Sequence, residues 1–294
     1  MNEDIELSAA EDIPTPAISM DEYREGLKKF DISICEALAV GQAAANRLEA
    51  PHVGYSTHIF ARICAHATAL VRAAPKSRWV HSDSEHWEFA AVAGHARSII
   101  EGYLLFVYVA KRPSSQEEWS AKLNVMHLND CTRRIRVFEG LEATDQVSGF
   151  KIQAEELRER LRKNVWFRAL DGKLQSRLLS GDYLTISTRN EQLEELGWPV
   201  ESFYSIWHVL SQYTHVLPFS FYRLEPNGRG TGISNDFDRS NILIILNQCS
   251  EILSEATDRM VGMFPDVAAV RVGIDSKFSP GPHRNLPKFK KRRH

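Results

Sequence analysis

Apolar residues recur at three- and four-residue intervals through most of the chain, and that spacing predicts helices rather than strands. Tyr23, Leu27, Phe30, Ile34, Leu38 and Ala45 keep the helical period. A first helix is therefore expected from Met20 to about Leu48, capped by Ser19 with Asp21 and Glu22 in its first turn. Pro51 restarts the chain. The next pattern, about His52 to Ala73, gathers Tyr55, Ile59, Ile63, Ala67 and Leu70 on one side and His58, Arg62 and His66 on another. After Pro75 and a short linker, the stretch from Asp83 to Pro113 reads as one long helix. Asp83 or Ser84 can cap it, and Lys111, Arg112 and Pro113 close it. From Ala90 onward it is apolar on nearly every face, so other helices should surround it.

Ser114 and Ser115, followed by Gln116, Glu117 and Glu118, mark a further helix start, with the pattern running to Glu139. Another helix is expected at about 143–169, and shorter ones at 173–180 and 188–196 between Gly172, Gly181 and Gly197. Pro199 suits the first turn of the next helix and Pro218 marks its stop. Phe219 to Leu224 alternates like a short strand, and Asn227-Gly228 is a turn signal. A last long helix, capped by Ser234 or Asn235, carries a stripe from Ile242 to Met260 and ends near Phe264. The expected fold is all-α: a single multi-helix bundle of about six main helices, with one short irregular or β-like excursion near 219–233. Residues 1–18 read as a disordered acidic arm, 19–264 as the bundle and 265–294 as a basic, mostly disordered tail.

Composition narrows the class without choosing a function. The chain has 294 residues, 43% hydrophobic and 25% charged, with a formal net charge of −2. The longest strongly apolar run, Ile99 to Ala110, contains Glu101 and is too short to span a bilayer, so no membrane partner is expected. The acidic start has neither the basic nor the apolar part of a secretory signal, and the expected location is cytoplasmic. Cys35, Cys64, Cys131 and Cys249 are scattered singly and read as reduced core residues. Charge is uneven: residues 1–25 carry eight acids against one Arg, and residues 271–294 carry eight basic residues against one Asp. The tail ends in Lys288, Lys290, Lys291, Arg292 and Arg293, which can touch phosphates or lie solvated.

Two polar groupings interrupt the apolar pattern. His95, Arg97 and Glu101 sit inside the greasiest helix, where an ionised side chain costs several kcal/mol unless it finds a partner. Tyr204, His208, Ser211 and His215 fall at spacings of four, three and four on the helix after Pro199, and so share a face. Arg97, Glu101, Ser211 and His215 are expected to meet across the bundle, with Arg97 paired to Glu101 and the imidazole nearby. Tyr204 and His208 would then flank a substrate. The same four groups can equally form a satisfied buried network that fixes helix register. No metal or other cofactor is expected. The sequence has no His-Glu-x-x-His, and no Glu-x-x-His within an expected helix as the di-iron type requires. GRGTG at 228–232 follows no buried strand and precedes no Lys-Ser or Lys-Thr, so it reads as a surface loop.

The segments ARSIIEGYLLFVYV at 96–109 and STRNEQLEELGWPVESFYSIWHVLSQYTHVLPFS at 187–220 together resemble a group of uncharacterised bacterial helical proteins. That group shares an Arg-x-x-x-Glu helix followed by a Tyr…Leu-Ser-x-x-x-His helix. The matching positions are Arg97, Glu101, Tyr204, Leu210, Ser211 and His215. The group is similar in outline to the HEPN helical bundles, which include metal-independent ribonuclease toxins and defence effectors as well as non-catalytic members. The resemblance implies a helical-bundle protein of stress or phage defence. The HEPN nuclease motif, Arg and His separated by four to six residues on one helix, is missing, because Arg62-Ile-Cys-Ala-His66 has only three intervening residues. A ribonuclease or nucleotide-acting enzyme would instead have to use Arg97 and His215 from two helices, with RNA held by the basic tail. A non-catalytic scaffold that forms a homodimer is the remaining alternative.

Overall fold

A computed structural model gives the fold, and its description covers residues 17–222, 224 and 228–276. The main helices are α1 (Met20–Ala43), α2 (Pro51–Ala73), α3 (Ala90–Ala110), α4 (Gln116–Gly140), α5 (Thr144–Lys163), α9 (Val200–Thr214) and α11 (Asp236–Met263). Four short ones intervene: α6 (Val165–Arg168), α7 (Gly172–Leu179), α8 (Arg189–Glu195) and α10 (Pro218–Phe221). The chain is thus all-α, with more helices than the six main ones expected. Among the described residues there is no strand, only an isolated antiparallel bridge between Trp87 and Gly232. Of the irregular or β-like excursion expected near 219–233, the strand-like alternation from Phe219 is corrected to a helical turn, and the described residues after Phe221 are irregular. Pro218 starts a helical turn instead of merely stopping α9, and the Tyr222 N–H closes it on the Pro218 carbonyl at 2.9 Å. Asn227, half of the expected turn signal, lies outside the described residues, as do residues 1–16 of the acidic arm and 277–294 of the tail.

The helices group into two compact units, one from Met1–Val107 with Glu201–His294 and one from Tyr108–Val200. In the first, α1 packs along α11, and α2 packs on both. The reason is visible in the stripes: Tyr23, Phe30, Ile34 and Val40 of α1 are fully buried, as are Ile242, Leu246, Cys249, Leu253 and Met260 of α11. Ser19 and Glu22 form the expected capping box at the start of α1. α1 ends sooner than expected, at Ala43, before Asn46 turns into the left-handed region at φ 60°. The linker after α2 is anchored by a buried carboxylate. Asp31 accepts the Trp79 indole N–H at 2.6 Å and the Arg78 guanidinium at 2.9 Å, and the Tyr23 hydroxyl donates to the Pro75 carbonyl at 2.9 Å.

The long helix is shorter than its sequence pattern. α3 begins at Ala90, so Asp83 and Ser84 are not its caps. The backbone before it is held extended, because the Trp87 N–H donates to the Gly232 carbonyl at 2.9 Å. Gly232 has a φ of +75°, and a Cβ there would collide with the His86 ring, so both the turn and the approach require glycine. The buried Asp238 carboxylate of α11 accepts the Phe89 N–H at 2.8 Å, which satisfies one of the free donors at the entry to α3.

The second unit centres on α4, which packs on α5, α6 and α7. Val125, Leu128, Leu157, Leu161, Phe167 and Leu178 form its core. The helix expected over 143–169 is broken at Asn164, whose backbone leaves the helical region and whose side chain caps α6 through the Phe167 N–H at 2.8 Å. The short helices expected at 173–180 and 188–196 are present as α7 and α8. Within this unit Glu118 and Lys122 form a nearly sealed ion pair at 2.6 Å. The four cysteines are buried and none is in a disulfide, and burial pushes the Cys64 thiol up to about 12.

Candidate functional site

α3 places Arg97 and Glu101 one turn apart, and in the first unit α9 lies against this face. A Cβ added to Gly94 would rest 3.7 Å from Thr214, while Glu101 meets Trp207, so the two helices run antiparallel. Glycine at 94 and Thr214 allow the close approach that brings longer side chains into contact on the neighbouring turns. α9 ends at Thr214, with the His215 N–H bonded to the Ser211 carbonyl at 3.1 Å and the Leu217 N–H reaching back to Gln212 at 2.9 Å. That closure needs a left-handed residue, and Val216 supplies it at φ 53°. His215 therefore sits where the chain leaves the helix, and its side chain turns toward α3.

The Arg97 Nη1 lies 2.9 Å from His215 Nε2. A guanidinium only donates, so this nitrogen of the imidazole accepts and the ring proton resides on Nδ1. The Arg97 Nε and Nη2 face Glu101 Oε1 at 3.4 and 3.5 Å, a longer contact than a good hydrogen bond. A shorter bond to that oxygen comes from the Trp207 indole N–H at 2.7 Å. The Trp207 ring also carries the Arg97 guanidinium, whose carbon stands 4.5 Å from the ring centroid. Arg97 is thus held on three sides, by an imidazole, a carboxylate and an aromatic face.

The cluster is not sealed. His215 is exposed, the Arg97 side chain keeps 18% of its exposure and that of Glu101 keeps 36%. Both properties matter chemically, because an imidazole with an accepting nitrogen is a base and a guanidinium that keeps part of its exposure can meet an anion. Tyr204 and His208 continue the surface: the Trp207 and His208 rings meet edge to face at 5.2 Å, and Tyr204 lies 6.2 Å from His208.

Of the four groups expected to meet, Arg97, Glu101 and His215 come together and Ser211 does not join them. Its hydroxyl is buried and donates to the Trp207 carbonyl at 2.6 Å, bonding within its own helix as serine commonly does. Trp207 joins them, although the sequence pattern did not single it out. The signal was available, since residues 207, 211 and 215 fall four apart and form one row with His215. The expected substrate contacts Lys288, Lys290, Lys291, Arg292 and Arg293 lie outside the described residues.

His95 does not join this cluster. It faces α2, where its Nδ1 lies 3.4 Å from the Nδ1 of His66. Among the described residues no three His, Cys, Asp or Glu side chains gather as metal ligands, and no helix is long and apolar enough to cross a membrane. Comparison of the chain with protein-family models, curated proteins and solved structures found no match.

Proposed function

We propose that the surface shared by α3 and α9 binds and cleaves RNA without a metal. The observation that carries this reading is the 2.9 Å approach of Arg97 Nη1 to an exposed His215 whose Nε2 is the accepting nitrogen. In the reaction, Nε2 takes the proton of a ribose 2′-hydroxyl, and the 2′ oxygen attacks the adjacent phosphorus. The 5′ oxygen leaves with a proton from solvent, and a 2′,3′-cyclic phosphate remains. Arg97 moves from the imidazole to the phosphate and offsets the charge that grows there. Trp207, Tyr204 and His208 offer aromatic faces on which bases can stack. The HEPN-like resemblance of the two helices suggests a place in stress or phage defence, while the cleavage itself rests on the Arg97 and His215 geometry because the HEPN nuclease motif is missing. The basic residues from Lys288 to Arg293 would add sequence-independent affinity, so truncation after residue 285 should weaken RNA binding and flatten its salt dependence.

A second reading is favoured by Glu101, whose Oε1 is already engaged by Arg97 and Trp207. A guanidinium held by a carboxylate is a weaker phosphate clamp, and the cluster would then serve to lock α9 onto α3. Incubating the pure chain with total RNA beside His215→Ala and Arg97→Ala separates the two. The enzyme reading requires cleavage that both substitutions remove while the fold is retained. Cleavage equal to that of the variants leaves only the structural role.

A further inference from the structure

The contact between α2 and α3 brings two imidazoles directly against each other. His66 and His95 are both half-buried, their Nδ1 atoms stand 3.4 Å apart, and their ring centroids are 5.7 Å apart. The centroid separation exceeds the nitrogen separation by about two ring radii, so the nitrogens point at one another head on. A neutral pair satisfies this geometry with one Nδ1–H donating to the other Nδ1, and so does a pair sharing one extra proton. A doubly protonated pair cannot, because both nitrogens then carry hydrogen and both rings carry charge.

We infer that His66 and His95 form an acid-sensitive latch between α2 and α3, closed while the pair holds at most one extra proton and opened when both rings are charged. Arg62, one turn away on α2, also acts on His66 and adds to the repulsion. Among the described residues, no carboxylate is among the groups acting on His66. Desolvation first, then His95 and Arg62, hold the His66 imidazole below its usual value. The latch bears on the rest of the molecule through α3, which presents His95 to α2 and Arg97 and Glu101 to α9. Next to the latch the same helices are packed tightly: a Cβ on Gly102 would stand 3.0 Å from Ile63, and Phe60 meets Phe106 at 5.9 Å between centroids. Such packing responds to added charge by separating as a unit instead of yielding gradually.

This inference does not depend on RNA cleavage, and its test uses none. Imidazole nitrogen shifts of the full chain, followed by NMR from pH 8 to 5, should show His66 and His95 titrating in two coupled steps. Over the same range the melting temperature should fall by about 2–4 °C for each unit by which the second step is displaced. His66→Gln and His95→Gln should each reduce that fall by more than half, whereas His58→Gln, on the same helix and exposed, should leave it unchanged. Two imidazoles that titrate independently near the ordinary histidine value would overturn the inference without any variant. So would a pH dependence of melting that His66→Gln and His95→Gln leave intact.

Discussion

Trp207 donates its indole N–H to Glu101 Oε1 at 2.7 Å, and the face of the same ring supports Arg97. One aromatic residue thus fixes both the carboxylate and the cation that α3 presents to α9. Trp207→Phe keeps a ring in place but removes the donor and weakens the cation–π contact, each worth about 1 kcal/mol. The expected loss is about 1–2 kcal/mol in urea denaturation, together with weaker RNA binding. A variant as stable as the parent would show that the indole N–H contributes nothing there.

Val216 is a β-branched residue in the left-handed region, where glycine is ordinarily found at the end of a helix. The conformation costs about 1–2 kcal/mol in an L-residue, and glycine recovers that while adding entropy to the unfolded chain. Val216→Gly should therefore raise stability by about 0.5–1 kcal/mol, read as a higher urea midpoint at unchanged slope. Destabilisation would mean that the turn at Val216 depends on its side chain.

Asp238 links the start of α11 to the entry of α3 through the Phe89 N–H, and also accepts from the Asn235 side chain at 2.6 Å. Asp238→Ala leaves a buried backbone donor without that acceptor, at a cost of about 1–3 kcal/mol. Amide exchange at Phe89 and through the first turn of α3 should quicken more than exchange at the middle of α4. Uniform acceleration across both units would contradict a local anchoring role.

In the second unit, burial alone would raise the Glu118 carboxyl, but hydrogen bonds from Lys122 and Ser114 outweigh it and bring the group down to about 2. A folded value below the unfolded one means that the unfolded chain binds more protons in acid. The stabilisation is present above about pH 4.5 and is lost as the pH falls toward 2. The amount is on the order of 2–3 kcal/mol. Glu118→Gln should be less stable at pH 7 and should flatten the acid limb of unfolding between pH 4.5 and 2; an unchanged limb would remove the assignment.

The helices were legible because their apolar stripes keep one period, and Ser19, Ser115 and Asn235 mark three starts with side chains that the structure uses. Arg97, Glu101 and His215 were legible for a different reason: an arginine and a glutamate in an apolar helix require answering groups. The onset of α3 was not. Phe89 and Trp87 are bonded to Asp238 and Gly232, almost 150 residues away in sequence, and no local propensity reports such partners. The helical turn at Pro218 was hidden because Phe219 and Phe221 alternate with polar residues, a period that four residues of helix cannot overrule. Trp207 was not legible as a member of the site because a large ring on a helix suits apolar packing as well as it suits the surface of a guanidinium.

The most direct test is the product formed from a short single-stranded RNA incubated with the full chain in excess chelator. Fragments ending in 2′,3′-cyclic phosphate, formed by the parent and lost on His215→Ala and Arg97→Ala, are the expected result. Intact RNA with the parent, or cleavage that persists in both variants, would contradict a catalytic role for the Arg97 and His215 pair.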